Sequence, residues 1–329
     1  MSERLSIVIP ALNEARALPS LLADLAAQRD VEREVIVADG GSSDDTTRVA
    51  RDGGAKVVSS ERGRGKQMNA GARAASGTHL LFLHADSRIE SPRLLADALA
   101  ALRGRDRVAG HFPLRFTGTS PQHAAFYRYL EGKTRLNRAN TINGDQGLLL
   151  ARSFFDALGG FDERLPFLED QRIAAKIADQ GEWIVLPGEL HTSARRFETE
   201  GVVERYSLMA LIMGLYSAGA DDFFANAPKV YASADGRLDL KPQVDAIERY
   251  LAALPIRKRA ALLLKIGAFI RDNAWQLAYR RDVLRNDGEL KTLARFDRFL
   301  APLLRNPAVS ALGAVLARAW LAALRRRHR

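Results

Sequence analysis

The sequence predicts an α/β fold with a mainly parallel central sheet, followed by a helical C-terminal extension. Three observations carry the prediction. Short apolar runs alternate with stretches of helical spacing through the first half of the chain. Polar residues gather at the end of each apolar run. The charge balance then changes near residue 235. Residues 1–235 hold 29 Lys and Arg against 31 Asp and Glu, a net of −2, whereas residues 236–329 hold 20 against 8, a net of +12. The expected organisation is therefore an α/β domain over 1–235 and a basic, mostly helical extension over 236–329.

The elements follow in order. Leu5 to Ile9 reads as a short buried strand stopped by Pro10. Leu18, Leu21, Leu22 and Leu25 recur at helical spacing. Glu34 to Ala38 is the next strand, and it runs into Asp39-Gly40-Gly41-Ser42. Asp44 or Asp45 can cap a helix through Val49 and Ala50. Ala55 to Val58, a helix over Lys66 to Ala75, and a strand over His79 to Leu83 complete three strand-to-strand units. Units of this length imply right-handed crossovers, a parallel sheet and helices on both faces. Further on, Arg107 to Phe116 reads as extended and Gln122 to Leu136 as helical. Gly147 to Leu150 is a strand, a helix starts at about Glu169, and Trp183 to Leu186 is a strand. Beyond about residue 200 the pattern is helical, with breaks at Pro228, around Gly236, and at Pro255, Pro302 and Pro307.

Composition narrows the classes. At 47% hydrophobic and 27% charged, the chain of 329 residues can bury a core, which excludes collagen-like, mucin-like and wholly disordered readings. The absence of cysteine excludes disulfides, thiolate nucleophiles and Cys-based zinc sites. It fits a reducing compartment, so a cytoplasmic location is expected. The run Leu5 to Ile9 is too short for a signal-peptide core. Pro307 to Leu324, interrupted by Arg318, reads as an amphipathic helix rather than a membrane span.

Ligands of open α/β sheets collect beyond the carboxyl ends of the strands. Four such ends are polar here: Pro10, Asn13 and Glu14; Asp39 to Asp45; Glu61 to Asn69; and His84-Ala85-Asp86-Ser87. Four in succession point to one composite site. Asp39 can accept hydrogen bonds from a base or a ribose, and Gly40 and Gly41 allow close backbone approach. Arg64 and Lys66 open a helix, an arrangement suited to phosphate, although a solvated loop has the same composition. No GxGxxG follows the first strand and no GxxxxGK[ST] occurs, which counts against dinucleotide and P-loop folds. Asp86, after the apolar run Leu80 to Leu83, can hold a divalent cation or simply end the strand.

The strings SIVIPALNEA, EVIVADGGSSDDT, GRGKQMNAGARAASG, LLFLHADS, GDQGLLLAR, GGFDE and FLEDQRI, in this order, resemble a family 2 glycosyltransferase with the GT-A nucleotide-diphospho-sugar transferase fold. More narrowly, GRGKQMNAGA, FLHAD, GDQG and TSARRFE resemble a bacterial clade associated with radical-SAM and arsenosugar-biosynthesis genes. The likeness covers about residues 5–232. It implies an enzyme that transfers sugar from a nucleoside diphosphate sugar to a hydroxyl acceptor, assisted by Mn²⁺ or Mg²⁺ and with inversion. It implies nucleotide contacts from Pro10, Asn13, Glu14, Asp39, Gly41, Lys66, Asn69 and Asp86. Asp86 stands at the last carboxylate of the DXD-type metal motif, and His84 replaces the first. Asp170, with Glu169 beside it, stands at the general base, although an acidic pair also suits any first helical turn. Asp145 and Gln146 become acceptor-side candidates. Arg64, Arg195 and Arg196 become phosphate contacts, and His191 a second metal candidate. A nucleotidyltransferase on a similar fold, or a non-catalytic sugar-nucleotide-binding protein, remains the alternative.

The likeness does not reach the basic extension. Its mixture of cations with Leu, Ile, Phe and Trp fits two readings. One is docking at the inner face of a membrane; the other is a helical bundle with a solvated basic face. Nucleic acid is not an expected partner, since no recognition motif accompanies the charge.

Overall fold

The computed structural model describes residues 3–164, 167–226 and 236–327. The break expected at Pro228 lies outside the described residues. The chain divides into two compact units: Met1–Gly118 with Leu130–Ala194, and Thr119–Tyr129 with Arg195–Arg329. The division thus falls at residue 194 rather than at 235. The helices over 195–226 carry charges of both signs, so composition does not mark them off from the α/β part.

The first unit is a three-layer α/β/α structure. Its strands are β1 (Arg4–Ala11), β2 (Glu32–Asp39), β3 (Lys56–Ser59), β4 (His79–Phe82), β5 (Val108–His111), β6 (Leu114–Thr117), β7 (Leu148–Ala151), β8 (Glu182–Val185) and β9 (Leu190–Ser193). Seven of them form one sheet in the order β3-β2-β1-β4-β7-β5-β8, parallel except for β7, which runs antiparallel to β4 and β5. A second, two-stranded parallel sheet pairs β6 with β9. The chain order reverses between β1 and β4, so the ligand crevice of an open sheet is expected at their carboxyl ends.

Alternation along the strands divides the core. Leu5, Ile7, Ile9 and Ala11 of β1 and Leu81 of β4 face one layer, built on helices α1 (Leu18–Ala26), α2 (Thr46–Asp52) and α4 (Leu94–Leu102). Helix α4 was not anticipated from the sequence. Val8, Leu80 and Phe82 face the other layer, where α3 (Arg64–Ala74), α6 (Arg152–Ala157) and α7 (Glu169–Gln180) pack. Helix α5 (Ala124–Lys133) lies between α4 and α6 in sequence.

Pro10 does not stop β1, contrary to the sequence reading; the strand runs on to Ala11, with Pro10 opposite Ala38. In a parallel strand the N–H and C=O of one residue point to the same side, and successive residues alternate. The Val8 carbonyl accepts from Leu83 on the β4 side, and the Ala11 carbonyl accepts from Gly40 beyond β2. Position 10 therefore faces the β4 side, where the ladder ends at Val8–Phe82. Its missing N–H removes no sheet hydrogen bond.

Helix α3 lies almost in backbone contact with β1. A Cβ on Gly71 would stand 2.3 Å from Val8 Cγ1. Gly71→Ala is therefore expected to force Val8 or the whole helix outward and to destabilise the unit by about 1–3 kcal/mol. A thermal melt reads this as a fall of several degrees.

The second unit is helical: α8 (Arg195–Glu200), α9 (Val202–Ser217), α10 (Asp221–Asn226), α11 (Lys241–Ala253), α12 (Ile256–Asp272), α13 (Trp275–Leu284), α14 (Lys291–Arg295), α15 (Ala301–Leu304) and α16 (Pro307–Arg327). Glu198 ties in the early segment 119–129. It accepts from the Ser120 amide and hydroxyl at 3.0 and 2.7 Å and from the Tyr127 hydroxyl at 2.8 Å, and it faces His123 Nδ1 at 3.1 Å. Burial works against the charge of Glu198, but these hydrogen bonds prevail and pull its carboxyl down to about 2.

Candidate active site

The carboxyl ends of β1 and β2 are stitched together by side chains that sequence reasoning left without a role. Gln67 on α3 donates its amide to the carbonyls of Ala11 and Ala38, at 2.7 and 3.0 Å. The tips of the two strands are thereby held in register under the crevice. Asp39, buried at the end of β2, accepts from the amides of Gly41 and Ser42 at 3.1–3.2 Å. Gly41 has φ +88° with open space around it, so the backbone conformation alone calls for glycine there. Asn13, at φ 57°, accepts from the Ser43 amide at 2.8 Å, and the Glu14 amide donates to Thr46 Oγ1 at 2.7 Å. The result is a rigid double loop beyond β1 and β2, in which Pro10, Asn13, Glu14, Asp39 and Gly41 are neighbours.

Past β4, Asp86 is exposed in a turn closed by the Ser87 amide on the His84 carbonyl, 3.1 Å. The His84 ring lies against Gly144: a Cβ on that glycine would be 3.2 Å from His84 Nε2 and 3.4 Å from Asp170 Oδ2. Asp170 sits in the first turn of α7. Its Oδ2 accepts from the Gly144 amide at 2.9 Å and its Oδ1 from the Gln171 amide at 2.8 Å. Gln171 donates in turn to the Ile142 carbonyl at 3.0 Å, which anchors the 142–144 loop to the same helix. Leu168, just before the acidic pair, is left-handed at φ 70°. A bulky residue there stores about 1–3 kcal/mol of backbone strain. The surrounding packing sustains it and so fixes how α7 presents its first turn.

Asp145 connects the parts. As a residue it is partly exposed, but its Oδ1 is shut off from solvent and accepts no hydrogen bond. Burial pushes its carboxyl up to about 7, and the carboxylates of Asp170 and Asp86 add to the shift. The Asp145 carboxyl thus feels those of Asp170 and Asp86, with the Arg64 guanidinium as a partial counterweight. Such a cluster suits a cation. Among the described residues, no group of three or more His, Asp or Glu is arranged to hold a metal alone. A hard cation shared with a substrate's phosphate oxygens needs only one or two protein carboxylates, and the exposed Asp86 is a donor of that kind.

Other expected site residues are placed differently. Glu169 is 1% exposed and paired with Arg64 at 3.3 Å. Burial pushes its carboxyl upward, with Arg64 acting against the shift. It underpins Asp170 and orients Arg64. Asn69 donates to the Phe161 carbonyl at 2.9 Å and accepts from the Phe161 amide at 2.9 Å; it braces the 160s loop against α3 instead of facing the crevice. Gln146 is fully buried, with its amide on the Thr141 carbonyl at 2.6 Å, so it supports the loop instead of lining an acceptor pocket. His191 on β9 directs Nδ1 to Glu90 at 3.0 Å, and its Nε2 lies 3.7 Å from Glu189, beyond hydrogen-bond reach. Lys66 forms an ion pair with Glu61 at the start of α3. Arg195 and Arg196 begin α8, in the second unit, and are exposed. No sequence signal separates an amide such as Asn69 or Gln146 that satisfies a backbone from one that meets a ligand.

Residues 6–159 match the family model described as glycosyl transferase family 2. A PGL/p-HBAD biosynthesis glycosyltransferase of Mycobacterium bovis is 36% identical over 123 residues, covering 34% of this chain and 48% of its own. An uncharacterised glycosyltransferase of the same species is 34% identical over 112 residues, covering 33% and 48%. The chain thus spans about half the length of the curated relatives it matches. Among solved structures, a mannosyltransferase from Pyrobaculum calidifontis, in complex with GDP-Man and Mn²⁺, aligns over 96% of this chain and 88% of its own, with TM-score 0.50 and 18% identity. The sheet order, the crevice at its switch point and these likenesses agree: the chain has a GT-A fold, and its residues 6–159 match the glycosyl transferase family 2 model.

Proposed function

We propose that the protein is a metal-assisted, inverting glycosyltransferase that moves a sugar from a nucleoside diphosphate sugar to a hydroxyl acceptor. The observation that carries this reading is the Asp170 carboxylate aimed by two backbone amides at the crevice, with the buried Asp145 carboxyl pushed upward beside it. The GDP-Man and Mn²⁺ held by the Pyrobaculum neighbour are of the same ligand classes.

Each group then has a task. The loops beyond β1 and β2 receive the nucleoside, with Asp39 accepting from base or ribose alongside Pro10, Asn13, Glu14 and Gly41. Arg64 and Lys66, at the start of α3, would face the diphosphate. Asp86 would hold a Mn²⁺ or Mg²⁺ ion, whose chemistry is to neutralise charge on the departing diphosphate. Asp145 would accept a hydrogen bond from a sugar or acceptor hydroxyl. Asp170, its carboxylate aimed by the amides of Gly144 and Gln171, takes the acceptor proton as the new bond forms. A single base opposite the leaving group gives inversion at the anomeric carbon.

The test is a thermal melt with UDP, GDP, dTDP and ADP, with and without Mn²⁺ or Mg²⁺. At a ligand concentration 100-fold above Kd the native state gains about 2.7 kcal/mol, a rise of several degrees. One nucleotide with metal is expected to produce it, and Asp86→Ala to abolish it. No shift with any nucleotide would remove the donor site. Release of nucleoside diphosphate, not pyrophosphate, from the matching sugar nucleotide separates transfer of sugar from transfer of a nucleotide.

A further inference from the structure

Helix α16 has more apolar surface than its packing uses. Ser310, Gly313, Leu321 and Leu324 are buried and lie on one face. The seat on α12 is close. A Cβ on Gly267 would stand 1.9 Å from the Ser310 carbonyl oxygen, and one on Gly313 would stand 2.5 Å from the Gly267 carbonyl oxygen. On the opposite face Leu312, Val315 and Leu316, at i, i+3 and i+4, are 58%, 64% and 54% exposed. No charged residue occurs from Pro307 to Ala317. Just upstream, Phe299, Leu300 and Leu303 are exposed as well. Arg298 and Arg305 stand before this surface and Arg325 and Arg326 after it, all exposed.

We propose that this face docks on an anionic lipid bilayer, with α16 lying in the interfacial plane. Exposed Leu, Val and Phe side chains bracketed by arginines match the two layers of such a surface: acyl chains below, anionic headgroups around. A second copy of the chain is a poorer occupant. Residues 236–329 carry a net +12, so pairing two such faces would bring like charges together, whereas an anionic surface neutralises them. Helix α16 is long and apolar enough to cross a membrane, but it is already held. Its Arg318 makes two 3.0 Å contacts to the Glu248 carboxylate, and its small residues are locked against α12. Crossing would strip both contacts; lying flat keeps them. The proposal stands independently of sugar transfer by the first unit.

The test is flotation of the full chain with vesicles of phosphatidylcholine containing about 30 mol% phosphatidylglycerol, against phosphatidylcholine alone. The protein is expected to float with the anionic vesicles only, and to be released at about 1 M NaCl, where screening shortens to ~3 Å. Leu312→Glu, Val315→Glu and Leu316→Glu combined are expected to lower the bound fraction about 10-fold with unchanged circular dichroism. A second readout is independent of that variant's folding. The chain has no cysteine, so Val315→Cys can carry a single polarity-sensitive dye. Its emission is expected to shift to the blue on adding anionic vesicles, while the same dye at Arg51→Cys on α2 stays unchanged. Failure of the wild type to float would overturn the proposal. So would equal shifts at both labelled positions, or a wild-type dimer in light scattering that the triple variant converts to monomer.

Discussion

Asp170→Asn is expected to slow donor turnover by about 10²–10⁴-fold while nucleotide affinity changes by no more than about threefold. The amide has the shape of the carboxylate, and its one oxygen can still accept from the Gly144 amide while the bond from the Gln171 amide is given up, so the loop held by α7 should keep its place. What is lost is the ability to take a proton. The acceptor is unidentified, so the reaction to follow is slow hydrolysis of the sugar nucleotide singled out by the thermal melts, with water in the acceptor's place. Water needs the same base. The melting shift given by the nucleotide in the same variant reports donor binding separately. Undiminished hydrolysis with intact binding would take Asp170 out of the base role. Loss of both would mean that α7 had moved, and Glu169, buried on Arg64 beneath it, would be the place to look.

The fold was legible wherever burial is one-sided or total. β1, β2 and β4 announce themselves as apolar runs because both faces of the central sheet are covered. Their polar ends were legible for the same reason: a covered strand has nowhere but its tips to expose polar groups. The pairing of the small sheet was not legible, although most of β6 lies in the segment 107–116 that reads as extended. β9 (LHTS) is short and half polar, indistinguishable from loop until it finds β6 (LRFT). The reversed direction of β7 leaves no trace either, since Leu148–Ala151 has the same apolar pattern either way round. At the site, the identity of the acidic groups could be read but not their supports. Asp170 is aimed by an amide 26 positions earlier, and the strand tips are joined by Gln67 from 56 and 29 positions away. These are tertiary contacts, made by residue types that serve equally well as surface. The unit boundary at residue 194 leaves no mark in composition, because the helices over 195–226 are of mixed charge and already belong to the second unit.

Asp145→Asn is expected to stabilise the protein above neutral pH and to leave it unchanged near pH 4, in the presence of a metal chelator. The sign follows from linkage. Asp145 holds its proton up to about 7 in the folded protein, because of burial and then the carboxylates of Asp170 and Asp86. Unfolded, the same group ionises near 3.9. Between those values the unfolded chain binds fewer protons than the folded one, so stability falls as pH rises through the window. Below it both states are protonated and no penalty exists; above it the penalty is complete. The distance between the two values corresponds to roughly 2–4 kcal/mol. A neutral side chain of the same shape escapes that cost at every pH. Melting temperatures of wild type and variant should therefore coincide near pH 4 and separate by several degrees at pH 8, with the variant higher. A divalent cation reverses the comparison for the wild type, because an ion among the three carboxyl groups favours the charged form of Asp145. Added Mn²⁺ should raise the wild-type melting point at pH 8 and leave the variant nearly unmoved. A variant that melts below the wild type at pH 8 in chelator would show that Asp145 is ionised and well partnered there, and that burial does not hold its proton.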